Sequence, residues 1–229
     1  SDVCSSDLGY SDGVYGNLTI GANGLLLFEG TDTLKVYGNW KRIGAFDQNS
    51  QGTVQFDGGN QSISPTNFYN LSVSGTGTKI ISGDITVRNK FQVLSGIFND
   101  AGDTVYLGGD LYVGGEYRGS GNLFIGANPS ISSLSFSGNG TFNFGGVRIE
   151  AGKTFSDNGK VVSVTKNWNR LGTYNATGTV LFSGSTTQTI FSNSNFYNLI
   201  LGKNSDVISS GSLTIDNNFI VDKIGRAHV

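Results

Sequence analysis

The chain has 229 residues with 35 Gly, 2 Pro, 1 Cys, 1 His and no Met, and 14% of it is charged, against roughly 7% Gly and 25% charged in average proteins. Fifteen basic against seventeen acidic residues leave a net charge of −2, which offers no electrostatic footprint for nucleic acid or an anionic membrane surface. Hydrophobic residues make up 37% and aromatic residues 11%, enough to build a core and exclude general disorder, and no apolar run of about 18 residues marks a membrane-crossing helix.

The two ends stand apart from the rest. Read as the codons ATC GGA AGA GCA CAC GTC, the C-terminal Ile224, Gly225, Arg226, Ala227, His228 and Val229 have an in-frame reverse complement that translates as Asp-Val-Cys-Ser-Ser-Asp, the sequence from Asp2 to Asp7. Both termini thus resemble translated sequencing adapter joined to an insert. The expected organisation is adapter at 1–8 and 224–229 around a single repeat domain at 9–223. On that reading Cys4 and His228 are foreign, and the insert contains no Cys, His or Met. It then holds no imidazole for a Ser-His-Asp or Cys-His nucleophile, no His or thiolate zinc ligand and no paired thiols. No cofactor motif is found either.

Along the insert, pairs of apolar residues two apart recur: Val54/Phe56, Leu71/Val73, Ile85/Val87, Phe91/Val93, Val105/Leu107, Leu111/Val113, Leu123/Ile125, Leu134/Phe136, Phe142/Phe144, Val147/Ile149, Val162/Val164, Val180/Phe182, Leu213/Ile215 and Phe219/Val221. Period two means strands with one buried face. Each run is short and bounded by Gly, Asn, Asp or Ser, and no stretch carries a helical period. The fold class is all-β.

A longer repeat overlies these strands. At an offset of 128, Asn39, Trp40, Arg42 and Gly44 return as Asn167, Trp168, Arg170 and Gly172, and Asn67 to Leu71 (NFYNL) returns intact as Asn195 to Leu199. Overall 39–93 matches 167–221, with small slips where loops absorb them. Scarce Pro, irregular turn lengths and recurring Asn and Gly favour a parallel β-helix, or β-solenoid, over a sandwich or propeller. In a solenoid, equivalent side chains stack in ladders at about 4.8 Å, and Asn and Gly accept the left-handed corners. Roughly ten coils of about 20 residues are expected, so that the long period spans about six. Right-handed winding is the default for parallel crossovers.

The pattern Gly38-Asn39-Trp40, then Gly52-Thr53-Val54-x-Phe56-x-Gly58, then Gln61-x-Ile63, then Asn67-Phe68-Tyr69-Asn70-Leu71-x-Val73 resembles repeats of large secreted or surface bacterial β-helix proteins, often regarded as adhesin-like, some ending in a type IX sorting domain. The resemblance implies an extracellular or cell-surface location and a structural or adhesive role.

Side chains that invite chemistry have plainer readings beside them. Trp40 and Trp168, each with an Arg two residues on (Arg42, Arg170), and the outward member of Phe68/Tyr69 and Phe196/Tyr197, are the candidate glycan contacts: Trp40, Arg42, Tyr69, Trp168, Arg170 and Tyr197. For the indoles the favoured reading is coil-edge packing, each covering the core with its Arg laid over it, and sugar stacking is the alternative. Asp100, Asp103 and Asp110, with Asp84 upstream, form the densest acidic group and read first as turn caps, with Ca²⁺ binding the next reading and catalysis the last. A carbohydrate-active β-helix using clustered Asp is the alternative, and it requires two outward carboxylates from adjacent coils facing one cleft. The leading expectation is a structural or adhesive segment with no catalytic site, cofactor or metal. Its expected partners are surface glycans or neighbouring coils and domains of the same protein, with no nucleic acid and no membrane insertion.

Overall fold

The computed structural model describes residues 13–48 and 51–222; segments 1–8 and 224–229, whose origin the sequence questions, lie outside the described residues. Every strand pairing is parallel, and no helix occurs among the described residues. The strands stack into a β-solenoid of about ten coils.

One coil shows the plan. Strands Ile97–Asn99, Val105–Leu107 and Leu111–Val113 pair with the next coil's Glu116–Arg118, Asn122–Ile125 and Ser133–Ser137. Each turn of the solenoid therefore has three short sides. The first side belongs to an eleven-stranded sheet running from Leu18–Ile20 to Leu213–Val221. The other two form limbs of a fourteen-stranded sheet, joined where the long strands Asn67–Val73 and Ile85–Val93 bend round a corner. In Ile85–Val93 the inward residues are Ile85 and Val87, then Phe91 and Val93, while Arg88 and Lys90 point out at the corner. A two-stranded sheet, Leu25–Leu27 with Ala45–Asp47, opens the third side at the N-terminal end.

The apolar pairs legible in the sequence are buried throughout, except the last two. Leu213 and Phe219 to Val221 lie on the terminal coil and stay exposed. Inside the stack, aromatic rings touch from coil to coil. Phe91 packs edge-on against Phe98 at 4.8 Å between ring centres, and Tyr117 against Phe144 at 4.7 Å. Phe136 meets Phe155 at 4.5 Å, and Phe155 stacks on Tyr174 at 5.5 Å. An earlier cluster of Trp40, Phe46, Phe56 and Phe68 is rebuilt in the second copy of the long repeat as Trp168, Tyr174, Phe182 and Phe196. In both copies Phe is the buried member of the Phe-Tyr pair, 0% exposed at Phe68 and Phe196.

The repeat is not, however, a whole number of coils. Trp40–Arg42 lies in the eleven-stranded sheet, whereas Trp168–Arg170 lies in the fourteen-stranded one; Thr53–Phe56 and its counterpart Thr179–Phe182 exchange in the opposite sense. The offset of 128 thus covers six coils and one further side. The interior tolerates this because all three sides present the same kind of apolar ladder to one core. Coil length also varies. The step between paired residues runs from 17 (Thr53 to Asn70) to 25 (Leu111 to Phe136), and the longest coils contain the loop 126–132.

Phe136 touches Phe142, Phe144 and Phe155 and is 1% exposed. Truncating it to Ala is expected to cost about 3–5 kcal/mol, read as a lowered denaturation midpoint. Tyr106→Ala, whose half-buried ring stacks on Phe124 from outside, is expected to cost clearly less.

Candidate functional site

The recurring polar residues gather at the coil corners, where the backbone leaves one strand ladder and has not entered the next. Buried backbone donors and acceptors there must find partners or destabilise the fold. Gln61 supplies them at one corner: its Oε1 accepts from Gly58 N at 2.8 Å, and its Nε2 donates to Val36 O at 3.0 Å and to Gly38 O. Gln188 repeats this, accepting from Gly184 N at 2.9 Å and donating to Val164 O at 2.9 Å and Lys166 O at 2.7 Å. Both amides are buried and bind one coil to its predecessor.

The asparagines act likewise. Asn39 Oδ1 accepts from Ser62 N, and Asn167 Oδ1 from Thr189 N. Asn70 donates back to Gly52 O and accepts from Asn89 Nδ2, spanning three coils; Asn198 bonds Gly178 O and Asn217 Nδ2 in the same way.

The six candidate contact residues divide sharply. Trp40 and Trp168 are 1% and 0% exposed: both indoles pack in the core, as the favoured reading has it, and neither has a face open for the sugar contact given as its alternative. Arg42 Nε donates to Pro65 O at 2.6 Å, and Arg170 Nε to Asn193 O at 2.7 Å. Each guanidinium clamps the equivalent corner of the following coil instead of lying over the indole. Tyr69 is half-buried and Tyr197 is 39% exposed. Because the two copies sit on different sides, these rings do not share a surface.

Carboxylates are mostly held in turns. Asp84 Oδ1 accepts from Thr104 N, and Asp110 Oδ1 from Ser135 N and Oγ. Asp100, 1% exposed, accepts from Gly102, Ser120 and Gly121 N–H groups. Asp157, fully buried, accepts from Gly159 N, from Thr177 N and Oγ1, and from the Tyr174 hydroxyl. These two corners share one plan, except that the buried Tyr117 hydroxyl, unlike that of Tyr174, has no hydrogen-bond partner among the described residues. Each turn passes through a left-handed non-glycine residue, Ala101 (φ 54°) or Asn158 (φ 49°), a conformation that needs support from its surroundings. The sequence carried a signal for it: Phe98, Asp100, Gly102, Gly115, Tyr117 and Gly121 recur at one common, shorter offset as Phe155, Asp157, Gly159, Gly172, Tyr174 and Gly178, a period that the longer repeat overshadows.

Burial holds the Tyr117 and Tyr174 phenols well above their ordinary value, and the charges of Asp100 and Asp157 add to the shift. Buried Lys79 is lowered by desolvation, opposed by Asp57, while its Nζ donates to the carbonyls of Gly58, Ser74 and Thr76. Among the described residues no group of three or more His, Cys, Asp or Glu is placed to hold a metal ion, and no helix is long and apolar enough to cross a membrane. No protein-family model matches the chain, and no curated protein or solved structure matches it significantly.

Two expectations follow from these corners. Folded-state values above about 10 for two phenols mean that the folded chain keeps protons which the unfolded chain releases. The phenols' contribution to stability is therefore full below about pH 10 and falls as pH rises further, whereas Lys79, lowered from 10.5, contributes a reverse slope that ends at about pH 10.5. In a Tyr117→Phe/Tyr174→Phe variant, denaturant melts should show a shallower alkaline loss. The second concerns Trp40 Nε1, which donates to Thr66 Oγ1 at 2.9 Å, whereas in the other copy Trp168 Nε1 and Ser194 Oγ are both buried without partners. Ser194→Thr should close that bond and raise stability by about 1 kcal/mol; an unchanged or lowered midpoint would count against it.

Proposed function

We propose that the chain is a structural or adhesive repeat segment of a large secreted or cell-surface bacterial protein, with no catalytic site of its own. The observation that carries this reading is how the recurring residues are used. Asn39, Trp40, Arg42, Gln61, Phe68 and Asn70, together with their counterparts in the second copy, face the core or join one coil to the next. A repeat retained for an outward chemistry would repeat its outward residues on one surface. Here the two copies are turned onto different sides, which suits a rod that gains about 4.8 Å with each coil.

The resemblance to bacterial surface β-helix proteins supports the same location. The carbohydrate-active alternative is disfavoured by the engagement of Asp84 and of the buried Asp100 and Asp157 as turn acceptors, since a general acid or nucleophile must be presented to substrate.

The purified chain should leave a panel of neutral and acidic polysaccharides intact in a reducing-end assay. In solution scattering it should behave as a rod whose length grows by about 4.8 Å for every coil added by duplication. Turnover that disappears on substituting any one aspartate, or a length that does not scale with coil number, would overturn the reading.

A further inference from the structure

One place on the solenoid departs from the plan of short corners. Between Val105–Leu107 and Leu111–Val113 the connection is only 108–110; one coil later, between Asn122–Ile125 and Ser133–Ser137, it is the longer loop 126–132. The loop is held firmly. Lys153 Nζ donates to Asn128 O at 2.6 Å, Ile131 O at 2.6 Å and Pro129 O at 3.3 Å, and Asn128 Nδ2 reaches back over the intervening coil to Arg88 O at 2.9 Å.

Beside the loop lies an open depression of about 270 Å³ lined by Asn89, Lys90, Gly109, Asp110, Ile131 and Ser133. Its floor is bare because Gly109 has no room for a side chain: a Cβ there would sit 1.6 Å from Asn89 O. Lys90 and Asp110 occupy neighbouring ladder positions, just before the paired Phe91 and Leu111, yet they form no ion pair. Asp110 Oδ1 turns instead to Ser135 N at 2.7 Å and Oγ at 3.0 Å. The Lys90 ammonium and Asp110 Oδ2 have no hydrogen-bond or ion-pair partner among the described residues. In the second copy Lys90 is replaced by Asn218, so the charge belongs to this corner and not to the repeat.

We propose that this depression is a binding subsite for one acidic sugar residue, a uronic acid, either free or at the end of a chain. Lys90 takes the carboxylate, Asp110 Oδ2 accepts from ring hydroxyls, Ser133 Oγ adds a donor or acceptor, and Ile131 covers an apolar C–H face. The volume fits a single residue, and the anchored loop holds the wall in place before ligand arrives, which lowers the ordering cost of binding. Insertions in solenoids map to loops on one side, often the binding side. The assignment stands apart from the rod reading: a rod that fails to bind sugar, and a sugar binder that is not a rod, give different results.

The test is an NMR titration of the whole chain with galacturonate, glucuronate and galactose. Galacturonate or glucuronate should give saturable shifts confined to the amides of Asn89, Gly109, Asp110 and Ser133, with galactose weaker by at least about tenfold. Lys90→Gln, a change at an exposed site, should erase the preference for the acid, and Asp110→Asn should weaken acidic and neutral sugars alike. Unchanged circular dichroism and ring-shifted core resonances confirm that each variant is folded. No saturation by about 10 mM, equal binding of galactose and galacturonate, or binding indifferent to Lys90→Gln would overturn the proposal.

Discussion

A parallel solenoid depends on what happens at its corners. Along the strands each coil bonds its neighbours through a regular ladder, but at every corner the backbone turns inside a stack whose layers are about 4.8 Å apart. N–H and C=O groups released from the ladder then face protein instead of water. Leaving one unpaired costs about 1–3 kcal/mol, and a stack of three-sided coils repeats that problem many times. This chain answers it with side chains long enough to reach the next layer: the amides of Gln61 and Gln188, the ammonium of Lys79, and the carboxylates of Asp100 and Asp157.

The solutions are interchangeable where the geometry allows. Gln61 pairs in register with Lys79, whose ammonium binds Gly58 O. The counterpart of Lys79 is the apolar Val207, and there the matching carbonyl of Gly184 is approached by Ser205 Oγ, which bonds Phe182 O at 2.6 Å. An unpaired buried cation would be costly, so losing it requires a substitute for the carbonyls it served. Such substitution lets repeats drift in sequence while the corners remain satisfied.

Turning the second copy by one side has a consequence for display. Outward residues at equivalent positions, Tyr69 and Tyr197 among them, come to lie round the rod and do not line one face. Inward residues are indifferent to the turn, because the core has the same apolar lining on all sides. Constraints on packing and constraints on the outer surface therefore separate, and the depression beside loop 126–132 lies on the outer surface, with its Lys90 replaced by Asn218 in the other copy.

Period-two apolar pairs, scarce Pro and the recurrence of NFYNL were enough to determine an all-β stacked fold in which one ring of each Phe-Tyr pair points inward, since these follow from local alternation and from a core that every coil shares. Alternation alone does not fix which ring: counted back from Leu71 and Val73 it would turn Tyr69 inward, but the corner within Asn67–Val73 shifts the phase and buries Phe68. Nor does it show which side of the prism a strand joins, because that depends on a sum over the lengths of every preceding coil, and those lengths are unequal. Equally hidden was the reach of Arg42 and Arg170 to the following corner, a contact that spans 23 residues and exists only after the next coil is laid down. The depression beside Lys90 needed tertiary structure most of all, since its walls come from three successive coils and its floor from a glycine, Gly109, whose missing side chain has meaning only against the backbone of Asn89.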